Sequence, residues 1–173
     1  TLGGTYSKAA NAGTATFTDV QLTGKLDQYT LSFASSGLST ITQNINLTIG
    51  AATKLILATS ADGFENRAAF TTQPVIEVQD IGGKVVTSSS ASIAVAINTG
   101  NLTGTTNLTA VNGVADWSTA ATALGKNGTV GSKTLTFSSG SLAVDTQVFT
   151  LTYGAVYKLD IAAPTSAASG TVW

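Results

Sequence analysis

The chain repeats itself, and that fact constrains its folding more than any short motif does. "TLGGTYSKAANAGTATF" (Thr1–Phe17) aligns with "NLTGTTNLTAVNGVADW" (Asn101–Trp117) at a spacing of 100. Leu2 falls on Leu102, Gly4 on Gly104, Gly13 on Gly113 and Phe17 on Trp117. Four further residues enter the second copy within "ALGKNGTVG", after which "YTLSF" (Tyr29–Phe33) meets "KTLTF" (Lys133–Phe137) at a spacing of 104. The register then continues, with "LTIGAATKLIL" (Leu47–Leu57) on "LTYGAVYKLDI" (Leu151–Ile161). A unit of about 100–104 residues is duplicated in tandem. The expected division is the closing part of one repeat over 1–49, a whole repeat over 50–153 and the opening part of another over 154–173. Such a chain reads as a window on a longer array. The alternative is a neighbouring chain that completes each partial unit by adding a strand.

Inside the whole repeat, strand signals recur every 8–12 residues with turn signals between them, the pattern of a β-sandwich. Alternation predicts inward faces carrying Leu55 and Leu57; Pro74, Ile76 and Val78; and Ile93, Val95 and Ile97. Further along it predicts Val114 and Trp117, then Leu135 and Phe137, then Phe149, Leu151 and Tyr153. Val75, Glu77 and Gln79 fall on the opposite face. Gly82-Gly83 and Asn112-Gly113 mark hairpins, because such pairs readily supply positive φ. No segment sustains a 3.6-residue period, so the expectation is all-β with almost no helix. The 30 Thr and 17 Ser suit this, since β-branched Thr sits comfortably on a solvated sheet face.

Composition also removes function classes. Charged residues are only 10% of the chain and the net charge is −1, with the eight basic residues scattered singly. Nucleic-acid binding needs clustered Lys or Arg, so it is not expected. There is no His and no Cys, which removes the commonest general base and the thiol nucleophile. No catalysis is expected, because the nine acids are too dispersed to suggest a working pair. No window reads as a membrane span, since Ser, Thr and Asn interrupt every apolar run.

"AAFTTQPVIEVQDIGGKVVT", "VAINTGNLTGTTNLTAVNGVADW" and "KTLTFSSGSL" together resemble bacterial immunoglobulin-like repeats, of the invasin/intimin-type or filamin-like kind. The element "QPVIEVQDIGGKVV" carries that family's Pro, alternating Val and Asp-x-Gly pattern. The resemblance implies tandem immunoglobulin-like β-sandwiches on a secreted, extracellular cell-surface protein. There they would serve as spacer, stalk, fibre, filament or surface-layer segments. The implied partners are neighbouring repeats of the same chain, or identical chains in a fibre or layer. The second reading is a glycan- or receptor-binding module, such as a carbohydrate-binding accessory or virion fibre domain, taking a host or environmental glycan. The family shares no ligand motif, so no binding residue is carried over. One departure is "SADGFENRAAF", which brings Asp62, Phe64, Glu65 and Arg67 where the family often has small residues.

Few residues invite a site. Asp62 and Glu65 are the candidate calcium ligands, although two carboxylates are few for a cation taking six to eight oxygens. Their counterparts in the third copy, Ser166 and Ser169, are not acids. No other cofactor is expected. Lys54 and Lys158 open equivalent strands, and pilus-type immunoglobulin domains can form Lys–Asn isopeptide bonds beside a buried acid. Alternation turns Lys54 outward, however, and these lysines read as solubilising. Asn46, Asn101, Asn107 and Asn127 head Asn-x-Thr sequons and are candidate glycosylation sites. Trp117 reads as core, because it shares its place with Phe17. The Gly-rich stretches lack the lysine and following helix of a phosphate loop and read as turns.

Overall fold

The computed structural model describes residues 1–156 and is all-β. The opening segment holds β1 (Leu2–Gly3), β2 (Gln21–Leu22), β3 (Gln28–Phe33) and β4 (Ile41–Asn46). The next ten strands are β5 (Ala52–Thr59), β6 (Ala68–Ala69), β7 (Val75–Asp80), β8 (Ser92–Ile97), β9 (Asn101–Thr103), β10 (Asn107–Thr109), β11 (Val114–Asp116), β12 (Gly125–Asn127), β13 (Gly131–Ser138) and β14 (Asp145–Leu151). Among the described residues, one 3-10 turn at Trp117–Thr119 is the sole helical element.

Residues 50–153 form a sandwich. One sheet has the order β10-β8-β13-β14, a second has β11-β7-β5, and a short third has β6-β12-β9. All the named pairs are antiparallel. The core draws on the first two sheets, through Leu55, Ile76 and Val78, Ile93 and Val95, Leu135 and Phe137, and Phe149 and Leu151, with Leu124 and Trp117; Leu102 of the third sheet packs against it half-buried. Alternation is clean in β7, where Ile76, Val78 and Asp80 are buried and Val75, Glu77 and Gln79 only half so. Pro74 is buried just before that strand, where no ladder donor is needed. Trp117 is fully buried, and its indole N–H donates to the Thr105 carbonyl at 2.8 Å, so its one polar atom is satisfied.

Two expected inward residues lie elsewhere. In β11 the buried side chain is Ala115 and Val114 is half-exposed, because the alternation that buries Trp117 also buries the residue two before it. Tyr153 is 83% exposed: β14 ends at Leu151, and the chain leaves the sheet before Tyr153 can share its face.

The duplicated sequence is matched by duplicated geometry. Leu2 faces Leu22 and Gly3 faces Gln21, as Leu102 faces Lys126 and Thr103 faces Gly125. In the β3–β4 hairpin Phe33 faces Ile41 and Gln28 faces Asn46, as Phe137 faces Asp145 and Ser132 faces Thr150. Gly4 and Gly104 share a φ of +82°, and at each a Cβ would stand 2.0 Å from a carbonyl oxygen, of Asp19 or Ala123. Only glycine fits there.

Candidate interaction surface and unit junctions

Among the described residues, the opening segment holds the counterparts of β9, β12, β13 and β14 but none of β5–β8. Phe17 and Phe33 lie 6.0 Å apart at 50°, the counterparts of Trp117 and Phe137 at 5.8 Å and 64°. Phe137 is fully buried, whereas Phe33 is 36% exposed. Phe137 shares its core with Leu55, Ile76, Val78, Ile93 and Val95 from residues 52–97, and among the described residues no equivalent strand lies over Phe33. An apolar groove results, of about 390 Å³, lined by Leu2, Tyr6, Phe17, Leu22, Leu31 and Phe33. Leu38 and Ile41 extend the open surface, at 73% and 68% exposed.

The whole unit shows what covers such a face. From Lys54 to Asn66 the chain runs parallel to residues 143–152. Leu55 N–H donates to the Ala143 carbonyl at 2.9 Å, and Ala143 N–H to that of Thr53 at 3.0 Å. Leu57 N–H donates to Asp145 Oδ2 at 2.7 Å, and the Gln147 side-chain amide brackets Ala61, accepting from its N–H and donating to its carbonyl. At the far end Asn66 N–H donates to Thr152 O, and Thr152 N–H to Phe64 O. "SADGFENRAAF" is therefore the second half of this lacing. Its Phe64 stacks on Phe149 at 4.9 Å, and Phe70 meets the same ring edge-on at 5.8 Å.

At the junction between the opening segment and the sandwich, Asp80 holds the linker. Its carboxylate accepts from Gly50 N–H at 2.9 Å and from Lys84 N–H at 2.8 Å. Those two donors, Lys84 foremost, keep its pKa below the ordinary 3.8 against the opposing effect of burial. A cleft of about 150 Å³ lies here, between Leu22, Leu26 and Leu47 on one side and Ile81 and Lys84 on the other.

Two buried lysines escaped the sequence reading. Lys126 is 1% exposed and lies 4.3 Å from the centre of the Phe70 ring. It donates to the Gly63 carbonyl and, at 3.2 Å, to that of Ala69. Desolvation pushes its pKa down, and the charge of Glu65 partly offsets this. Lys133, 3% exposed, donates to the hydroxyls of Thr99 and Thr129 at 2.8 and 3.4 Å. The signal was in the repeat: Lys126 takes the place of Leu22 and Lys133 that of Tyr29, both positions that face inward.

Asp62 and Glu65 are both exposed. Asp62 Oδ1 accepts from Gly63 N–H at 2.7 Å, and Glu65 lies opposite Thr152. No third acid joins them among the described residues. Asn46, Asn101, Asn107 and Asn127 are all exposed, with Asn101 and Asn127 directly opposed across β9 and β12. Lys54 is half-buried. Lys158, Ser166 and Ser169 lie outside the described residues, as does Trp173. No described helix is long and apolar enough to cross a membrane.

No family model and no curated protein matches the chain. Among solved structures, a β-glucuronidase of Parabacteroides merdae superposes over 65% of this chain and 15% of its own, with a TM-score of 0.42 and 16% identity. A β-glycosidase from Bacteroides vulgatus superposes over 79% of this chain and 19% of its own, with a TM-score of 0.47 and 12% identity. The chain thus spans less than a fifth of either enzyme.

Proposed function

We propose that the chain is a run of immunoglobulin-like units of the bacterial kind, and that its work is structural: it sets length and spacing in an extracellular stalk, fibre or surface layer. The observation carrying this reading is the common register of the two copies, β1–β4 against β9, β12, β13 and β14. Units that repeat in register and are joined by a fixed linker build a quasi-one-dimensional object. The Gly50–Asp80 contact supports it further, because it ties the linker to the body of the next unit.

The test is single-molecule extension of the chain held at its two termini. The whole unit should open in one step that lengthens the chain by roughly 35 nm, for about 100 residues at about 3.5 Å each. A chain that lengthens gradually, with no step of that size, would contradict the reading. Saturable binding of the chain on a glycan array would move it to the recognition class.

A further inference from the structure

The two outer faces of the whole unit are chemically unlike. On the β10-β8-β13-β14 sheet the residues turned away from the core include Ala94, Ala96, Thr134, Thr136, Thr146 and Thr150, with no charged side chain among them. Threonine on a solvated sheet face needs no cover. On the β11-β7-β5 sheet the outward residues are branched aliphatics around one acid. Glu77 faces Ile56 on one side and Val114 on the other, with Val75 two residues along its own strand. Val85 lies opposite Gln79, and all of these side chains are half-buried. The Gln79 amide donates to Glu77 Oε2 at 2.7 Å and so orients the carboxylate. Lys54 stands diagonally across the ladder from Glu77, opposite Gln79. Asp116, at the margin, instead accepts from Ser118 N–H at 2.8 Å. The opening segment meets the unit at its end, around Gly50 and Asp80, away from this side face.

We propose that this face pairs with the same face of a second copy of the chain, in a two-fold arrangement that sets Lys54 of each copy against Glu77 of the other. A face carrying one base and one acid on neighbouring strands is complementary to itself once turned over about an axis between them. Ile56, beside Glu77 across the ladder, then comes close to that axis and packs on its own copy. The aliphatic side chains hold the copies together, and the two charge pairs fix their register. The contact is small. Three strands about 4.8 Å apart and about 20 Å long offer a footprint of roughly 300 Å², below the roughly 800 Å² a side of a stable dimer. One pair of units therefore associates weakly, and an array of units gains by repeating the contact.

The inference rests on the structural reading, in which identical chains lie side by side, and adds which face they share. Its failure is distinguishable, because lateral pairing can be absent while the unit still opens in one step under tension. The chain has no native cysteine, so the full chain carrying Ile56→Cys reports contact near the axis. The full chain carrying Thr134→Cys, also half-buried but on the hydroxyl face, is the reference. Under mild oxidation Ile56→Cys should form disulfide dimers at least about tenfold faster than Thr134→Cys, because pairing raises the local thiol concentration. Adding Glu77→Lys or Lys54→Glu should bring that rate down to the reference, since each sets like charges together. Mixing the two charge variants should restore it as heterodimers identified by mass, with Trp117 emission confirming that each variant is folded. Equal rates at the two faces would overturn the proposal, and so would a mixture no faster than its parts.

Discussion

Residues 1–46 and 101–151 follow the same ladder in different surroundings. Their hairpins pair residue for residue, yet Phe33, Ala10 and Ala15 are exposed where Phe137, Ala110 and Ala115 are buried. Hairpin register is therefore local, decided by the turn and the alternating pattern. Burial is not local, because it depends on strands contributed by residues 52–97. The short strands show the same dependence. β10 and β11 exist because β8 and β7 pair with them, and the corresponding residues 7–9 and 15–16, which have no such partners among the described residues, are irregular.

The largest expected difference between the copies is energetic. Phe137→Ala should cost about 3–5 kcal/mol, the usual effect of truncating a buried aromatic. Phe33→Ala should change the same transition by less than about 1 kcal/mol, because a half-solvated ring leaves little cavity. Urea unfolding followed by Trp117 emission, in a Trp173→Phe background, measures both. Equal losses would mean that the opening segment shares the core of the whole unit, and the comparison would fail.

A smaller effect distinguishes Lys126 from its counterpart Leu22. Lys126→Leu should destabilise the whole unit by about 1–3 kcal/mol, by leaving the Gly63 and Ala69 carbonyls without their donor. The native protein should gain on this variant as pH rises toward 10.5, because its folded lysine, with the lowered pKa, releases its proton before the unfolded one does. Thermal melts of the pair across alkaline pH read the difference; a gap that narrows with rising pH would reverse the assignment.

The smallest expected effect is at the junction. Asp80 has a lowered folded pKa, so its stabilising contribution is complete above 3.8 and is lost as pH falls through the folded value. The melting-temperature advantage over Asp80→Asn should therefore be constant at neutral pH and shrink in acid. An advantage independent of pH down to about 2 would show that the charge plays no part in holding Gly50.

The strands with large alternating side chains were legible before any coordinates. β7, β8 and β13 could be read directly, and Asn112-Gly113 turns with φ of +51° and +77° as that pair favours. Three features were hidden for separate physical reasons. The sheet β6-β12-β9 uses strands of two or three residues, too short to show a period. The burial of Lys126 and Lys133 depends on carbonyls and hydroxyls supplied from distant loops, which alternation in one strand cannot reveal. "SADGFENRAAF" reads as a polar loop by composition, but its bonds to Thr152 make it part of the sandwich edge.

That edge has a mechanical consequence. The chain enters the whole unit along Lys54–Asn66 and leaves it along residues 143–152, and the two run side by side in the same direction. Pulling on the termini therefore drags them past one another, loading the bonds at Leu55, Ala143, Asn66 and Thr152 in shear and all together. Opposed strands would peel apart one bond at a time under far less tension, so here the order of entry and exit itself toughens the unit.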